Sequence, residues 1–287
     1  TITTDKNGEE IYINGKLAGT SPLTTSLPCG NHQIYAKRGN DKTDTEIVNV
    51  TATTTSSVSL SFVPMIAGHE YVDLGLPSGL KWATCNVGAN QPEETGYYFA
   101  WGETKTKASY TESNSETYGE SDSWLTSNGY IDSNGNLTKT HDAASANWGS
   151  TWRMPTEAEI DELIENTTTE WTTRNGVYGR LVKSKRNGKS IFIPAAGYRN
   201  GARLYSAGEY GECWSSTPNE GNACSAYYLF FGSGNFFGCW SSRYSGRSVR
   251  PVSSKTVSDE ASQYRNQSVG SANINATKND KSTTGIK

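Results

Sequence analysis

Residues 197–252 read GYRNGARLYSAGEYGECWSSTPNEGNACSAYYLFFGSGNFFGCWSSRYSGRSVRPV. Between Tyr198 and Gly246 this window contains no Lys, Asp, Gln, Met or His, and it is crowded with Tyr, Gly, Ser, Asn, Phe, Trp and Cys. Antibody binding loops use the same residue types, because rigid aromatics supply contact area and small polar side chains supply adaptable hydrogen bonds. The composition therefore predicts that this part of the chain binds another molecule.

The length and charge of the chain limit its function classes. Its 287 residues favour two domains. A net charge of -3 with no basic stripe argues against nucleic-acid binding. No apolar run approaches the roughly 20 residues of a membrane helix, and no signal peptide begins the chain. The polar, Lys-poor composition favours an extracellular or cell-surface location without direct membrane insertion, and leaves open a lipid anchor on a missing N-terminus.

Residues 1–63 are predicted to form a small all-β domain. Short runs rich in β-branched residues alternate with turn signals such as Asn14-Gly15. The text IYINGKLAGTSPLTTSLPCGNHQIYAKR, residues 11–38, resembles the PEGA family, with Cys29 inside the usual Pro-x-Gly. The resemblance implies a sandwich-like spacer or anchor module without catalytic residues.

A linker is predicted over residues 64–70, and the pattern then changes to frequent Trp and Gly/Asn turns. Two segments, His141–Trp148 and Thr156–Asn166, are predicted to be helical. In the second, Thr156 and Glu159 make a capping box before an apolar stripe. Strands are predicted at Ser190–Pro194 and Tyr227–Phe231.

Residues 71–253 carry a second set of motifs. They include VDLGLPSGLKWATCNVG (72–88), YFAWGE (98–103), HDAA (141–144), WRMPT (152–156), PAAGYR (194–199), WSST (214–217) and SVRPV (248–252). This text resembles the Fibrobacter succinogenes major paralogous domain and the variable proteins of diversity-generating retroelements. The resemblance implies an α+β, C-type-lectin-like fold of the formylglycine-generating subgroup, with a small twisted sheet, two helices and long loops. Residues 254–287 are expected to be a polar tail.

Alternation divides the window into scaffold and ligand face. In Ala226–Phe231, Tyr227, Leu229 and Phe231 match scaffold positions of the family and are expected to face inward, so Tyr228 and Phe230 face outward. An exposed aromatic surface of this kind marks an interaction site. The predicted scaffold is Trp214, Ser215, Ser216, Tyr227, Leu229, Arg243, Gly246 and Arg250. The predicted ligand-binding residues are Asn200, Arg203, Tyr205, Glu209, Tyr210, Glu212, Cys213, Asn219, Glu220, Asn222, Cys224, Tyr228, Phe230, Asn235, Phe236, Phe237, Trp240, Ser241, Ser242 and Tyr244.

The retroelement resemblance also implies a source for this composition. Such systems rewrite template adenines, so an AAC codon can become a codon for Tyr, Phe, Ser, Gly, Cys, Asn, Arg, Ala or Leu. The missing Lys, Gln and Met and the unpaired cysteines fit this scheme. Glu209, Glu212, Glu220 and Trp240 do not fit an AAC codon, and the missing Asp and His are not explained.

Catalysis and metal binding have little support in the sequence. His32, His69 and His141 match no metal-ligand spacing, and five cysteines without a CxxC pair indicate neither a disulfide framework nor a zinc site. The formylglycine-generating relatives use two active-site cysteines, for which only Cys213 and Cys239 could stand in. The residues 217–220 offer one carboxylate, that of Glu220, whereas calcium requires six to eight oxygens, several of them charged. We therefore expect no enzyme activity, no cofactor and no metal.

These observations favour a non-enzymatic, surface-displayed, calcium-independent binding protein with a diversified face over residues 200–245. Its partner is expected to be an unknown protein or glycan. The alternatives are an adhesin or pilus-type structural subunit of the same family without diversification, and, ranked below it, a formylglycine-generating-type enzyme.

Overall fold

A computed structural model of the chain describes residues 1–39, 41–43, 45–52 and 55–255. The chain divides into two compact units, Thr1–Pro64 (unit 1) and the part that starts at Met65 (unit 2). The expected tail at residues 254–287 lies, from residue 256 onward, outside the described residues. None of the described helices combines the length and apolar character that crossing a bilayer requires.

Unit 1 is built from short strands. In chain order they are β1 (Ile2–Thr4), β2 (Glu10–Ile13), β3 (Lys16–Thr20), β4 (Gly30–Arg38), β5 (Asp41–Lys42), β6 (Glu46–Val50) and β7 (Val58–Leu60). One sheet has the order β3-β2-β4-β5, with β6 also paired to β4, while β1 and β7 form a parallel pair. Both residues of the Asn14-Gly15 turn between β2 and β3 have positive φ, as a type I′ hairpin requires.

Unit 2 is also rich in β-structure. Its strands are β8 (Met65–Ile66), β9 (His69–Asp73), β10 (Lys81–Ala83), β11 (Thr167–Arg174), β12 (Val177–Ser184), β13 (Ser190–Pro194), β14 (Tyr198–Asn200), β15 (Arg203–Tyr205), β16 (Gly211–Pro218), β17 (Ser225–Phe231), β18 (Phe236–Ser242) and β19 (Val252–Ser253). They form four sheets, with the orders β19-β10-β9-β8, β11-β12-β13, β14-β15 and β16-β17-β18.

The described residues of unit 2 form three short α-helices, α1 (Asp122–Ser127), α2 (Ala143–Trp148) and α3 (Glu157–Asn166), and a 3-10 turn at Glu112–Asn114. The capping box at Thr156 and Glu159 is present as predicted. Helix α2 begins two residues after His141, because the Asp142 carboxylate accepts the Ser145 N–H and makes Asp142 the N-cap. The sequence contains no helix signal at α1, because the apolar pattern there is too short to show a period.

Side chains pack against both sides of the sheet β16-β17-β18. On one side Tyr227, Leu229 and Phe231 join a core with Leu163 of α3 and Trp82 of β10. On the other side Trp214 and Tyr228 join a second core with Phe99, Trp101 and Val249. Because alternate residues of a strand point to opposite sides, the strand β17 belongs to two cores at once.

The segment 243–253, which contains β19, links the parts of unit 2. Its backbone pairs with Phe99, Arg153, Arg199, Cys213 and, through β19, with β10. It also carries three buried arginines, Arg243, Arg247 and Arg250. Arg250 is fully buried, and its guanidinium donates to the Asn86 Oδ1 atom and to the carbonyls of Ala83, Thr84 and Phe192. Burial lowers the pKa of Arg250 to about 10.

These findings establish a β-rich chain in which helices are few and short. The strands and helices of unit 2 are consistent with a β-rich fold, but they do not by themselves establish the C-type-lectin-like fold, which stays a prediction. The predicted strand Ser190–Pro194 has the same bounds as β13, and Tyr227–Phe231 lies inside β17.

We expect the substitution Arg250→Met to destabilise unit 2 by about 3 kcal/mol or more, because the four oxygens that accept from Arg250 lose their donors inside the core. Urea unfolding followed by tryptophan fluorescence measures the loss. The exposed Arg203 serves as the control, and Arg203→Met is expected to change stability by less than about 0.5 kcal/mol. Equal unfolding midpoints for the two variants would contradict the structural role of Arg250.

Asp142 predicts a pH dependence of stability. Burial raises the pKa of its carboxyl from 3.8 to about 6 in the folded chain. Between these two pKa values the folded chain holds the Asp142 proton more tightly than the unfolded chain does. The stability that this protonation gives is therefore fully present below pH 3.8 and is lost as the pH rises through about 6. Asp142→Ser keeps an N-cap without a charge. As the pH rises from about 4 to about 6, the free energy of unfolding of the wild type should fall relative to that of the variant. A difference that stays constant with pH would contradict the raised pKa of Asp142.

Candidate functional site

The candidate site is a group of aromatic side chains on unit 2. We call it the aromatic face, and it consists of Tyr198, Tyr205, Tyr210, Phe230 and Phe237. Three of these rings are well exposed, Tyr205 and Tyr210 at 40% and Phe237 at 43%. The other two are half-buried. Exposed aromatic side chains in contact with each other are unusual on a soluble protein and indicate an interaction surface.

Strand pairing brings these residues together. Tyr198 and Tyr205 are directly paired across the β14-β15 hairpin, and their rings stack with centroids 5.5 Å apart. Phe230 of β17 is paired with Phe237 of β18, and these rings lie 5.1 Å apart. Tyr210, immediately before β16, places its ring 5.3 Å from Phe230. This position requires Gly232, because a Cβ atom there would lie 2.8 Å from the Tyr210 ring.

Arg247 lies beneath the aromatic face, between the Tyr198–Tyr205 pair and the group of Tyr210, Phe230 and Phe237. Its guanidinium lies over the rings of Trp214 at 4.3 Å, Tyr228 at 4.5 Å and Tyr198 at 5.7 Å. Tyr228 in turn makes an edge contact with Phe230 at 6.4 Å. Cation–π contacts of a desolvated guanidinium hold aromatic rings in fixed orientations. The exposed rings therefore rest on a rigid, charged support.

A buried ion pair fixes Arg247. Its Nε atom donates to the Glu212 Oε2 atom at 2.6 Å, and its Nη2 atom donates to the Ser241 hydroxyl at 2.6 Å. Arg247 is 3% exposed and Glu212 is 6% exposed. A charge this deeply buried requires its partner, so Glu212 is part of the support and not of the exposed surface.

The burial of three predicted ligand-binding residues corrects their placement. Tyr228 does not face outward, because Trp214 and Arg247 cover it, and burial raises its pKa to about 12. Glu212 lies on the same side of the sheet as Tyr228 and forms a buried ion pair with Arg247. Cys213 points into the core on the other side of the sheet. Alternation predicted the directions along β17 correctly but not that both sides are covered.

The remaining predicted residues do not form one surface. Tyr205, Tyr210, Phe230 and Phe237 belong to the aromatic face. The exposed Asn200, Arg203 and Glu209 lie in the β14-β15 hairpin and the turn after it, and Asn235 lies in the β17-β18 turn. Ser241, Ser242 and Tyr244 are half-buried at the far end of β18. The connection between β16 and β17 carries Asn219, Glu220, Asn222 and Cys224.

The register separates these groups. Gly211 pairs with Phe231 at one end of the β16-β17 ladder, next to Tyr210, and Pro218 pairs with Ala226 at the other. The connection from Asn219 to Cys224 is therefore at the opposite end of the sheet from Tyr210. Phe236 and Trp240 point to the other side of the sheet, where Trp240 contacts Tyr227 at 4.8 Å. All eight predicted scaffold residues are buried.

The two cysteines considered for catalysis lie on opposite sides of the sheet. Cys213 is paired with Leu229 and lies in the first core, whereas Cys239 is paired with Tyr228 and packs against the second. Burial raises the pKa of the Cys213 thiol to about 12, so it is protonated at neutral pH. This arrangement cannot form a two-cysteine active site.

Two clefts of unit 2 and its metal-ligating side chains were compared with the predicted ligand-binding residues. A cleft of about 450 Å³ beside Tyr97 and Trp148 and one of about 200 Å³ beside Leu76 and Arg186 contain none of the predicted ligand-binding residues. Within the described ranges, no three His, Cys, Asp or Glu side chains are grouped so that they could hold a metal ion. The Asp132–Asn136 segment is a turn, in which the Asp132 carboxylate accepts two backbone N–H groups.

Sequence reasoning missed Tyr198 of the aromatic face and Arg247 of its support. Tyr198 was read only as part of a family motif, although the turn-rich text around residue 201 could have indicated a hairpin that pairs it with Tyr205. Arg247 has no sequence signal, because its role depends on a carboxylate 35 residues away.

Comparison with known proteins finds a family similarity in the N-terminal unit. The model of the PEGA domain matches residues 1–65. No curated protein and no solved structure matches the chain significantly. The PEGA-like prediction for the first unit is therefore confirmed.

We expect Glu212→Gln to destabilise unit 2 by about 3 kcal/mol, because it leaves the buried Arg247 guanidinium without a negative partner. Glu209→Gln, three residues earlier and exposed, is the matched control and should change stability by less than about 0.5 kcal/mol. Urea unfolding measures both. If Glu212→Gln behaves like the control, the ion pair does not support the aromatic face.

Proposed function

We propose that unit 2 is a non-enzymatic binding domain of a surface-displayed protein, and that the aromatic face contacts the ligand. The observation that carries the proposal is two groups of contacting rings, Tyr198 with Tyr205 and Phe230 with Tyr210 and Phe237, in which Tyr205, Tyr210 and Phe237 are exposed. The buried ion pair of Arg247 and Glu212 supports both groups through Tyr198 and Tyr228. Rigid aromatics lose little conformational entropy on binding and bury a large area, so they dominate binding energy at interfaces.

The aromatic face suits a flat or convex partner better than a small metabolite. Its rings project from two strand pairs and a turn, and none of them lines the two clefts described above. Small ligands favour concave sites that bury most of their surface. A protein surface or a glycan, whose apolar sugar faces stack on aromatic rings, is the partner class that we propose.

We further propose that unit 2 has the C-type-lectin-like fold and that its aromatic face is diversified by a retroelement. The motifs at residues 72–88, 152–156 and 248–252 support the first statement, and the residue composition of the window supports the second. The buried side chains Trp214, Tyr227 and Arg250 would then be the constant part, and exposed positions such as Tyr205 and Phe237 the variable part.

An array of bacterial glycans and purified cell-surface proteins, probed with the intact chain, tests the binding proposal. We expect at least one array member to bind, and the triple variant Tyr205→Ser, Tyr210→Ser, Phe237→Ser to bind it at least about 100-fold more weakly. The control variant Tyr97→Ser, Tyr178→Ser removes equally exposed rings elsewhere on unit 2, at 52% and 50%, and should retain binding. An array without a bound member, or equal binding by both variants, would contradict the proposal.

Sequencing the DNA around the gene tests diversification separately. We expect a reverse transcriptase gene and an adenine-rich near-repeat of the segment that encodes residues 200–245. If neither is present, the diversification proposal is wrong, while the binding proposal still depends on the array.

A further inference from the structure

We propose that two copies of the chain associate edge to edge through β18 and form a two-fold symmetric dimer. Two copies joined in this way would share one six-stranded sheet made of β16, β17 and β18 from each. This inference concerns assembly and does not depend on the identity of the ligand.

The strand β18 is an unprotected sheet edge. In the part of the chain that the structure describes, it pairs with β17 on one side and with no strand on the other. Its sequence, FFGCWSS, contains no charged residue and no proline, and each of its seven residues is half-buried or exposed. Natural proteins protect sheet edges with lysines, prolines or bulges, because an open edge pairs with other strands.

The turn before β18 shows which backbone groups are available for pairing. The Gly232 N–H donates to the Asn235 carbonyl at 3.0 Å, so this pair is hydrogen-bonded. Bonded and non-bonded pairs alternate along an antiparallel ladder, so Phe236, Gly238 and Trp240 do not bond to β17. Their N–H and C=O groups point away from β17 towards the open edge, where the Trp240 carbonyl receives a weak contact from the Cys239 thiol at 3.8 Å. These groups are oriented to pair with a further strand.

The spacing of these residues makes β18 complementary to itself. A two-fold axis through Gly238 pairs each Phe236 with Trp240 of the second copy, on the same side of the sheet. Aromatic pairs across neighbouring strands stabilise sheets. At the axis the two Gly238 residues face each other and contribute no side chains. A larger residue does not fit at this position, because the Tyr227 hydroxyl occupies the space that a Cβ atom would need.

The charges next to the two ends of β18 favour an antiparallel partner with the same sequence. At the N-terminal end, the buried guanidinium of Arg180 donates to the carbonyls of Ser233 and Asn235. At the other end, Tyr227, the neighbour of Trp240, donates to the Asp161 carboxylate at 2.6 Å, and Glu157 lies near both Asp161 and Glu220. A two-fold axis brings the basic end of one copy towards the acidic end of the other, so a second copy is the occupant that these charges fit.

A disulfide test uses the register of the proposed pair. Phe237 and Cys239 of the second copy would be directly opposite in a non-hydrogen-bonded pair, with Cα atoms about 4.5 Å apart, which a disulfide can span. We expect Phe237→Cys in the full-length chain to form a covalent dimer under mild oxidation, and peptide mass spectrometry should identify a link between the introduced thiol and Cys239 of the second copy. The control Phe236→Cys, which would face Trp240, should not form the corresponding link to Cys239.

Sedimentation equilibrium of the full-length chain gives an independent measurement. We expect a dimer whose dissociation constant rises at least about 100-fold in Trp240→Lys, because each copy then places a charge in the shared sheet. Leu204→Lys changes an equally exposed apolar residue outside β18 and should leave the dissociation constant within about twofold. The proposal is overturned by a wild-type chain that remains monomeric at concentrations on the order of 100 µM. It is also overturned by a dimer that Trp240→Lys does not weaken, or by equal cross-linking of the two cysteine variants.

Discussion

Unit 2 depends on the way in which buried guanidinium groups satisfy backbone carbonyls. Arg243 donates to the carbonyls of Thr117, Glu120 and Ser225, and Arg250 donates to three further carbonyls and to the Asn86 side chain. Long irregular loops carry many carbonyl groups that no helix or sheet pairs, and leaving them buried and unpaired is costly. One guanidinium has five N–H donors in a fixed plane, so a single side chain can organise several loop segments. The loop-rich unit is stable because the segment 243–253 supplies these donors in its centre.

The sequence predicted those features whose causes are local. The capping box at Thr156, the Asn14-Gly15 turn and the inward residues of β17 depend on residues within one turn of a helix or one strand, and the structure contains them. It did not predict that Tyr228 is covered or that Glu212 is paired, because both depend on Arg247, which reaches them from another part of the chain. The residues predicted for one ligand face over 200–245 lie on both sides and at both ends of the sheet, because the register of β16, β17 and β18 separates them. Composition marks a window, but the register decides which of its residues share a surface.

The two sides of the sheet β16-β17-β18 have different roles in the proposals. The side with Tyr228 supports the aromatic face, and the edge with Phe236 and Trp240 is the proposed contact between two copies. In a sheet shared about a two-fold axis, both aromatic faces point in the same direction. Such a pair could bind two sites on one surface, and its avidity would exceed the affinity of either site. A two-fold contact uses the same patch on both copies and closes on itself, so it gives a dimer and not a fibre.

The contact between Glu212, Arg247 and Ser241 also limits how the window can evolve. Under the proposed diversification, codons would be rewritten independently of one another, but the buried Arg247 guanidinium requires the carboxylate of Glu212, which does not fit a rewritten AAC codon, and a change at residue 241 would remove a second acceptor. Many rewritten copies would then be lost by misfolding before any partner could select them. The useful repertoire of such a face is therefore set by the few rings that rest on the ion pair and can be exchanged without disturbing it, and not by the length of the variable text.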